Sequence, residues 1–110
     1  MKVSELKEKL GMTLVTKEDF GDREIKGCYI GDLLSWVMGR AQSDNVWITI
    51  MNNINIVAVA SLADVACIVL CEGVQADSAI IEKADTQDII ILSSQLTAYE
   101  IAVKLSGDVY

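Results

Sequence analysis

The sequence has 110 residues, of which 52% are hydrophobic, and it carries a formal net charge of −7 with no histidine and no proline. A chain of this length fits a single domain, and so large an apolar fraction excludes intrinsic disorder. Without histidine, the chain lacks the commonest general base and the commonest metal ligand. The acidic balance also argues against nucleic-acid binding, which depends on neutralising phosphates.

The start of the chain and its cysteines indicate a reduced, cytoplasmic protein. Charged residues interrupt the first ten residues, where a signal peptide needs an unbroken apolar stretch. The apolar segment Ile54–Cys71 contains Asp64, which favours a buried helix and strand over a membrane span. Cys28, Cys67 and Cys71 lie in apolar surroundings and are interpreted as reduced core residues. We expect no zinc site and no cofactor.

The first predicted helix is short and has one apolar face. Val3, Leu6 and Leu10 recur at helical spacing, Ser4 is a candidate N-cap, and Gly11 is a candidate left-handed stop. The segments that follow are predicted as a strand, an acidic loop and a second strand, at Met12–Thr16, Lys17–Arg23 and Glu24–Ile30.

A second helix is predicted to open at Gly31 and Asp32, with Asp32 as its N-cap. Apolar residues recur at helical period from Leu33 to Ala41, and a turn at residues 42–45 closes the helix. Trp36 in this helix and Trp47 beyond it are interpreted as packing residues, because tryptophan more often packs than serves as a stacking platform.

From residue 46 onward, apolar strands alternate with helices three times. The predicted strands are 46–50, 67–71 and 89–92, and the predicted helices are 55–65, from 77 or 78 to 84, and 97–106. Thr97 and Glu100 form a capping box for the last helix, which Gly107 ends. Strands that are apolar on both faces and separated by helices predict a three-layer α/β/α fold with a mainly parallel sheet.

Ligands of such folds bind beyond the carboxyl ends of the strands, where three polar loops are predicted. The candidate ligand-binding residues are Asn52, Asn53, Asn55, Glu72, Gly73, Ser93, Ser94 and Thr97. Amides, hydroxyls and a glycine here suit a polar or anionic small molecule. The alternative for each is structural, because asparagine, serine, threonine and glycine also suit turns and helix caps.

The predicted helix 55–65 is apolar nearly all round, with Ser61 and Asp64 as its main polar residues. A helix of this kind is covered either by its own chain or by a second subunit. Because few residues are available to cover it, a homodimer is expected.

Several stretches together resemble the DRTGG domain family. They are the strand Val46–Ile50, the Ala-rich helix around Val57–Ala60, the strand Cys67–Leu70 with Gly73, and Ile90–Leu92 leading to Thr97. The segment Glu24–Ser35 is similar to the N-terminal part of small stand-alone members. The five residues that give the family its name are replaced after the first of these strands, where Met51–Asn55 stand.

The resemblance implies a fold similar to the N-terminal domain of HPr kinase/phosphorylase. It also implies a regulatory module of the kind that accompanies CBS domains or phosphotransacetylase, and small members are encoded beside iron-only hydrogenase components. Kinase activity is not implied, because the chain has no phosphate-binding loop motif.

Three functions are therefore weighed. The favoured one is a non-catalytic, dimeric regulatory or protein-interaction domain, with a partner in a redox or hydrogenase system. The alternative is a sensor for an anionic or nucleotide-like ligand at the carboxyl edge of the sheet. An enzyme that uses Asp32 or Glu72 as acid or base is the third, although no convergent pair of carboxylates is evident in the sequence.

Overall fold

The computed structural model describes residues 1–109 and shows a five-stranded sheet between two layers of helices. In chain order the elements are α1 (Val3–Leu10), β1 (Thr13–Leu14), β2 (Cys28–Ile30), α2 (Leu34–Arg40), β3 (Val46–Thr49), α3 (Asn55–Ala63), β4 (Cys67–Leu70), α4 (Ser78–Thr86), β5 (Ile91–Ser93) and α5 (Ala98–Leu105). The strand order is β1-β5-β4-β3-β2, and only β1 is antiparallel to its neighbour. The predicted three-layer fold with a mainly parallel sheet is confirmed.

Both faces of the sheet are buried, as the apolar strands predict. Val46 and Ile48 point to the layer formed by α1 and α5, while Trp47 points to the layer formed by α2, α3 and α4, and all three are fully buried. One face is therefore covered by two helices and the other by three. This difference leaves the edge strand β2 less covered on the side of α1 and α5, where Ile30 is 49% exposed.

Two predicted helix caps are wrong. The N-cap of α1 is Lys2, and Ser4 lies inside the helix, where its hydroxyl donates to the Asp22 carboxylate at 2.5 Å. The N-cap of α2 is Leu33, because Asp32 is drawn instead toward the neighbouring strand β3. By contrast, the predicted capping box of α5 and the left-handed Gly11 after α1 are confirmed.

Several predicted elements have different bounds. The predicted strand 24–30 shortens to β2, because Ile25 bonds to the start of the chain through the Met1 carbonyl. The predicted strand 12–16 shortens to the two residues of β1, and the strand predicted at 89–92 becomes β5. Helix α3 ends at Ala63, because Asp64 takes the left-handed conformation with φ 57°, and α4 continues two residues beyond the predicted end.

The two tryptophans differ. Trp47 is a packing residue as predicted, and its indole N–H donates to the Gly31 carbonyl at 2.9 Å. For Trp36 the packing interpretation is wrong, because its side chain is 52% exposed and the Arg40 guanidinium lies 3.7 Å above its ring.

The cysteines contribute to the core. Cys67 and Cys71 are buried free thiols on the side of α1 and α5, as predicted, and Cys28 is partly buried. Burial raises the pKa of the Cys67 thiol to about 12 and that of Cys28 to about 11.

Within residues 1–109, no cluster of three or more His, Cys, Asp or Glu side chains is arranged to hold a metal ion. None of the helices described reaches the length and hydropathy needed to span a membrane.

Helix α3 is covered on one side by its own chain. Ile56, Val57, Val59 and Ala60 are buried, whereas Leu62 is 71% exposed on the outer face. Cover by a second subunit is thus not needed for the inner face of α3, and for the outer face it stays a prediction.

Candidate functional site

Three polar loops meet at the carboxyl edge of the sheet. They are the first loop (51–55, after β3), the second loop (72–76, after β4) and the third loop (93–96, after β5). The Asn52 side-chain amide donates to the Gln75 carbonyl at 2.9 Å and joins the first loop to the second. The Gly73 N–H donates to the Ser94 carbonyl at 2.9 Å and joins the second to the third. The fold therefore holds the three predicted loops side by side.

The asparagines of the first loop differ in whether their side chains stabilise the loop itself. The Asn53 side-chain oxygen accepts from the Asn55 N–H at 2.9 Å, and the Asn53 side-chain amide donates to the Met51 sulfur at 3.3 Å. Asn53 thus stabilises the turn that begins α3, as the structural alternative predicts. Asn52 and Asn55 are both exposed, and the N-cap residue of α3, Ile54, supplies no side-chain cap.

The second loop depends on two consecutive left-handed residues. Glu72 has φ 56° and donates its N–H to the Leu96 carbonyl at 2.8 Å, which leaves its carboxylate at the surface. Gly73 follows with φ 74°, and a Cβ there would lie 2.8 Å from the Gln95 side-chain oxygen. The left-handed backbone therefore favours glycine, whereas the exposed Gln95 side chain is flexible and can shift to admit a Cβ.

The third loop leads into α5 and is largely used for structure. The buried Ser94 accepts from the Leu96 N–H through its hydroxyl at 3.1 Å. Thr97 caps α5 by accepting from the Glu100 N–H at 3.2 Å, while the Glu100 carboxylate accepts from the Thr97 N–H at 3.0 Å. These bonds lower the pKa of Glu100. Ser93 ends β5 and is half-buried.

A fourth loop, after β2, joins the same edge through Asp32. One carboxylate oxygen of Asp32 accepts from the Thr49 hydroxyl at 2.7 Å and from the Ile50 N–H at 2.9 Å. Sequence reasoning named Asp32 only as a cap or as a catalytic acid or base. The available signal was a carboxylate two residues after the end of β2, because a parallel neighbouring strand brings that position beside the end of β3.

The electrostatics of this edge limit what it can bind. The three loops contain no lysine or arginine, so an anionic ligand would depend on backbone N–H groups, above all those at the start of α3. At the start of α5, the Thr97 N–H already donates to the Glu100 carboxylate, which disfavours a second anion there. Four surface cavities of 320 to 600 Å³ are lined by residues outside these loops.

Comparison with known families agrees with this architecture. The family model for the DRTGG domain matches residues 5–107, nearly the whole chain. The chain belongs to the DRTGG domain family. Among curated proteins, none matches it.

A solved structure shares the fold of this DRTGG domain. It comprises the CBS and DRTGG domains of the regulatory region of Clostridium perfringens pyrophosphatase, in complex with the activator diadenosine tetraphosphate. The likeness has a TM-score of 0.71 at 11% identity and covers 92% of this chain but 44% of the other. The DRTGG domain described here thus spans less than half of that regulatory region.

The DRTGG domain also has a groove that sequence reasoning missed, along the edge strand β2. One cavity of about 470 Å³ lies at the beginning of β2, and a second of about 320 Å³ lies between β2 and α5. Both are lined by Cys28, Tyr29 and Val109, so they adjoin. No sequence pattern marks this groove, because it depends on which strand the helices leave uncovered.

Proposed function

We propose that this DRTGG domain is a non-catalytic regulatory domain that acts as a homodimer, with the outer face of α2 and α3 as the interface. The observation that carries the proposal is a largely apolar surface on an acidic chain, to which α2 contributes one charged residue, Arg40, and α3 none. Residues 45–63 contain no charged side chain, although the chain as a whole has a net charge of −7. The membership of the DRTGG family and the fold shared with a regulatory region support a regulatory role.

The exposed side chains on this surface are large. Leu33, Trp36 and Met38 on and before α2 are 58%, 52% and 48% exposed, and Leu62 on α3 is 71% exposed. A single subunit of a stable interface contributes about 800 Å² in all, with an apolar centre and aromatic anchors. Two copies repel each other through their acidic surfaces, and that repulsion is weakest at α2 and α3, because neither helix contains a carboxylate.

The test is the solution mass at micromolar concentration, measured by light scattering after gel filtration. We expect a dimer for the native chain and a monomer for Leu62→Glu, because a carboxylate would be buried against its own copy. Val103→Glu is the matched control, since Val103 is 55% exposed but lies on α5 in the other helix layer. A native monomer, or equal loss of dimer in both variants, would contradict the proposal.

A second candidate is a sensor of an anionic or nucleotide-like ligand at the carboxyl edge. It is favoured by the hydrogen bonds that hold the polar loops together and by the uncapped start of α3. The regulatory region of the pyrophosphatase carries a nucleotide activator, which makes nucleotides the first compounds to try.

A thermal-shift panel of nucleotides and phosphorylated metabolites tests the sensor. We expect at least one compound to stabilise the native chain and to lose its effect in Asn55→Asp, which puts a negative charge at the start of α3. Gln87→Glu adds the same charge after α4 and is the control. A panel that shifts no melting temperature would refute the sensor.

The association with an iron-only hydrogenase system, and a cytoplasmic location, are parts of the same proposal. They rest on the resemblance to small stand-alone DRTGG members. An affinity capture from native extract, with the bound proteins identified by mass spectrometry, tests the association. Recovery of a hydrogenase component with the native chain but not with Leu62→Glu is expected, and its absence from both captures would refute the link.

A further inference from the structure

We propose that the groove along β2 binds a small amphiphilic anion, with the charged group beside Lys26 and Arg40 and the apolar part between β2 and α5. This site lies on the edge of the sheet, apart from the polar loops of the proposed function, and meets the proposed dimer face only at Arg40, which contacts Trp36.

The apolar half of the groove exists because two helices do not cover the whole sheet. On the side of α1 and α5, the edge strand β2 keeps part of its surface exposed, and a cavity of about 320 Å³ remains beside α5. Its walls are formed mainly by aliphatic groups, from Ile30 on β2 and from Ala102 and Leu105 on α5. Such a cavity accepts a short acyl chain or one aromatic ring.

The charged half is unusual for so acidic a chain. Lys26 and Arg40 line the same cavity of about 470 Å³, together with the polar side chains of Gln42, Ser43 and Asn45. Within residues 1–109, neither cation has a carboxylate within ion-pair distance, which is also true of Lys2, Lys83 and Lys104. What distinguishes Lys26 and Arg40 is that both line one cavity that no carboxylate lines, so they favour an anion there, although the Arg40 guanidinium also contacts the Trp36 ring.

The walls of the charged half are held in place by a buried side chain. Asn45 is 6% exposed, donates to the Lys26 carbonyl at 2.7 Å, and accepts from the Gln42 N–H at 2.9 Å. The Gly27 N–H donates to the Val109 carbonyl at 3.0 Å, which fixes the end of the described chain against β2. The backbone around both cations is thus set before any ligand arrives, and little ordering is needed on binding.

The spacing of the two halves defines the ligand. Lys26 lies two residues before β2 and Ile30 ends it, so four positions separate them and their Cα atoms are at most about 14 Å apart. A carboxylate or a phosphate carrying an acyl chain or aromatic rings has this length, and the shared chemistry is an anion joined to an apolar group.

The experiment uses 8-anilinonaphthalene-1-sulfonate as the probe, because it is a fluorescent anion with aromatic rings. Its dissociation constant is measured by fluorescence, and its position by the shifts of backbone amides in ¹H–¹⁵N spectra. We expect shifts at residues 26–30 and 102–109. Octanoate and octyl phosphate are then added as competitors, and preferential displacement by one of them tells a carboxylate from a phosphate ligand.

Variants test each half separately. Lys26→Gln/Arg40→Gln is expected to weaken binding about fivefold or more, while Lys17→Gln/Lys83→Gln removes the same charge elsewhere and leaves the dissociation constant within about twofold. Ala102→Leu fills the apolar half without harming α5, since leucine is a good helix former, and is expected to weaken binding similarly. Circular dichroism and melting curves confirm that each variant folds.

Three outcomes would overturn the proposal. They are no saturable binding up to about 1 mM probe, amide shifts confined to residues 33–38 and 54–62, and equal weakening in the two double variants. The first would show that the groove takes no amphiphilic anion. The second would show that the probe binds the dimer face, and the third that it responds only to net charge.

Discussion

Asp32 is predicted to contribute to stability by joining two loops at the carboxyl edge of the sheet. A single carboxylate oxygen accepts from the Thr49 hydroxyl at 2.7 Å and from the Ile50 N–H at 2.9 Å. Thr49 is 1% exposed, so its hydroxyl has no access to water as an alternative partner. Asp32→Ala removes the acceptor of both hydrogen bonds.

The expected cost follows from the surroundings of each donor. A buried hydroxyl without its partner costs about 1–3 kcal/mol, whereas the Ile50 N–H lies at the surface and regains water. Because Asp32 itself is exposed, its charge is screened, and the total is about 2 kcal/mol of unfolding free energy. In a domain of this size, that corresponds to a melting temperature lower by about 10 °C.

Two further variants separate geometry from charge. Asp32→Asn keeps a side-chain oxygen at the same position, so we expect it to cost about 1 kcal/mol or less. Thr49→Val removes the hydroxyl, and the double variant Asp32→Ala/Thr49→Val is expected to cost less than the sum of the single changes by about 1 kcal/mol. Urea unfolding followed by circular dichroism provides the free energies, with equal m-values as the check on two-state behaviour.

The reasoning would be refuted by either of two results. If Asp32→Ala changes the free energy of unfolding by less than about 0.5 kcal/mol, the hydrogen bonds do not stabilise the edge. If Asp32→Asn costs as much as Asp32→Ala, the negative charge matters and the acceptor geometry does not. In that second case Asp32 becomes a stronger candidate for chemistry than for structure.

Three further predictions concern pH, thiol chemistry and glycine. The Ser43 hydrogen bond and the nearby arginine lower the pKa of Asp64, so the carboxylate stabilises the fold at neutral pH, and this contribution is lost as pH falls below about 4. Asp64→Asn is therefore expected to be less stable than the native chain at pH 7 and equal to it in strong acid, as measured by urea unfolding; a constant difference would contradict this. Burial raises the pKa of Cys28 to about 11, so iodoacetamide at pH 8 should modify it on the order of 100-fold more slowly than free cysteine. Mass spectrometry follows the reaction, and a rate equal to that of free cysteine would show an accessible thiolate. Gly73→Ala is expected to lower the unfolding free energy by about 1–2 kcal/mol, because alanine is strained in the left-handed conformation. Gly39 lies in α2 with open space around it, so Gly39→Ala should raise the unfolding free energy by about 0.5 kcal/mol. The reverse order would refute the argument that backbone conformation decides both effects.

The parts of the fold that the sequence predicts well are those set by local pattern. Every residue of β3 and β4 is buried, and all but Thr49 are apolar, while the capping box of α5 needs only Thr97 and Glu100. The errors arise where a side chain has a stronger partner far along the chain. Asp32 is a good N-cap by residue type, but two donors at the end of β3 are better partners than the amides of a short helix.

The edges of the sheet were predicted less well than its centre for a related reason. A central strand is covered on both faces, so its apolar pattern is enough to predict it. The length of an edge strand also depends on whether its residues bond to other parts of the chain instead of to the sheet. Glu24 and Ile25 fit a strand pattern, yet they lie beside Met1 and Lys2 and so leave the sheet. The same dependence on distant contacts hides the groove beside β2 from sequence reasoning.

The three candidate surfaces differ in how far hydrogen bonds within the domain account for their side chains. At the carboxyl edge, Asn53, Ser94 and Thr97 make hydrogen bonds that the turns and caps require, so their presence there is explained without a ligand. On α2 the Arg40 guanidinium lies over the Trp36 ring, which accounts for part of that surface, whereas exposed Leu33 and Leu62 and the cation Lys26 make no comparable contact in residues 1–109. For this reason we propose the dimer face and the groove as the surfaces to test first.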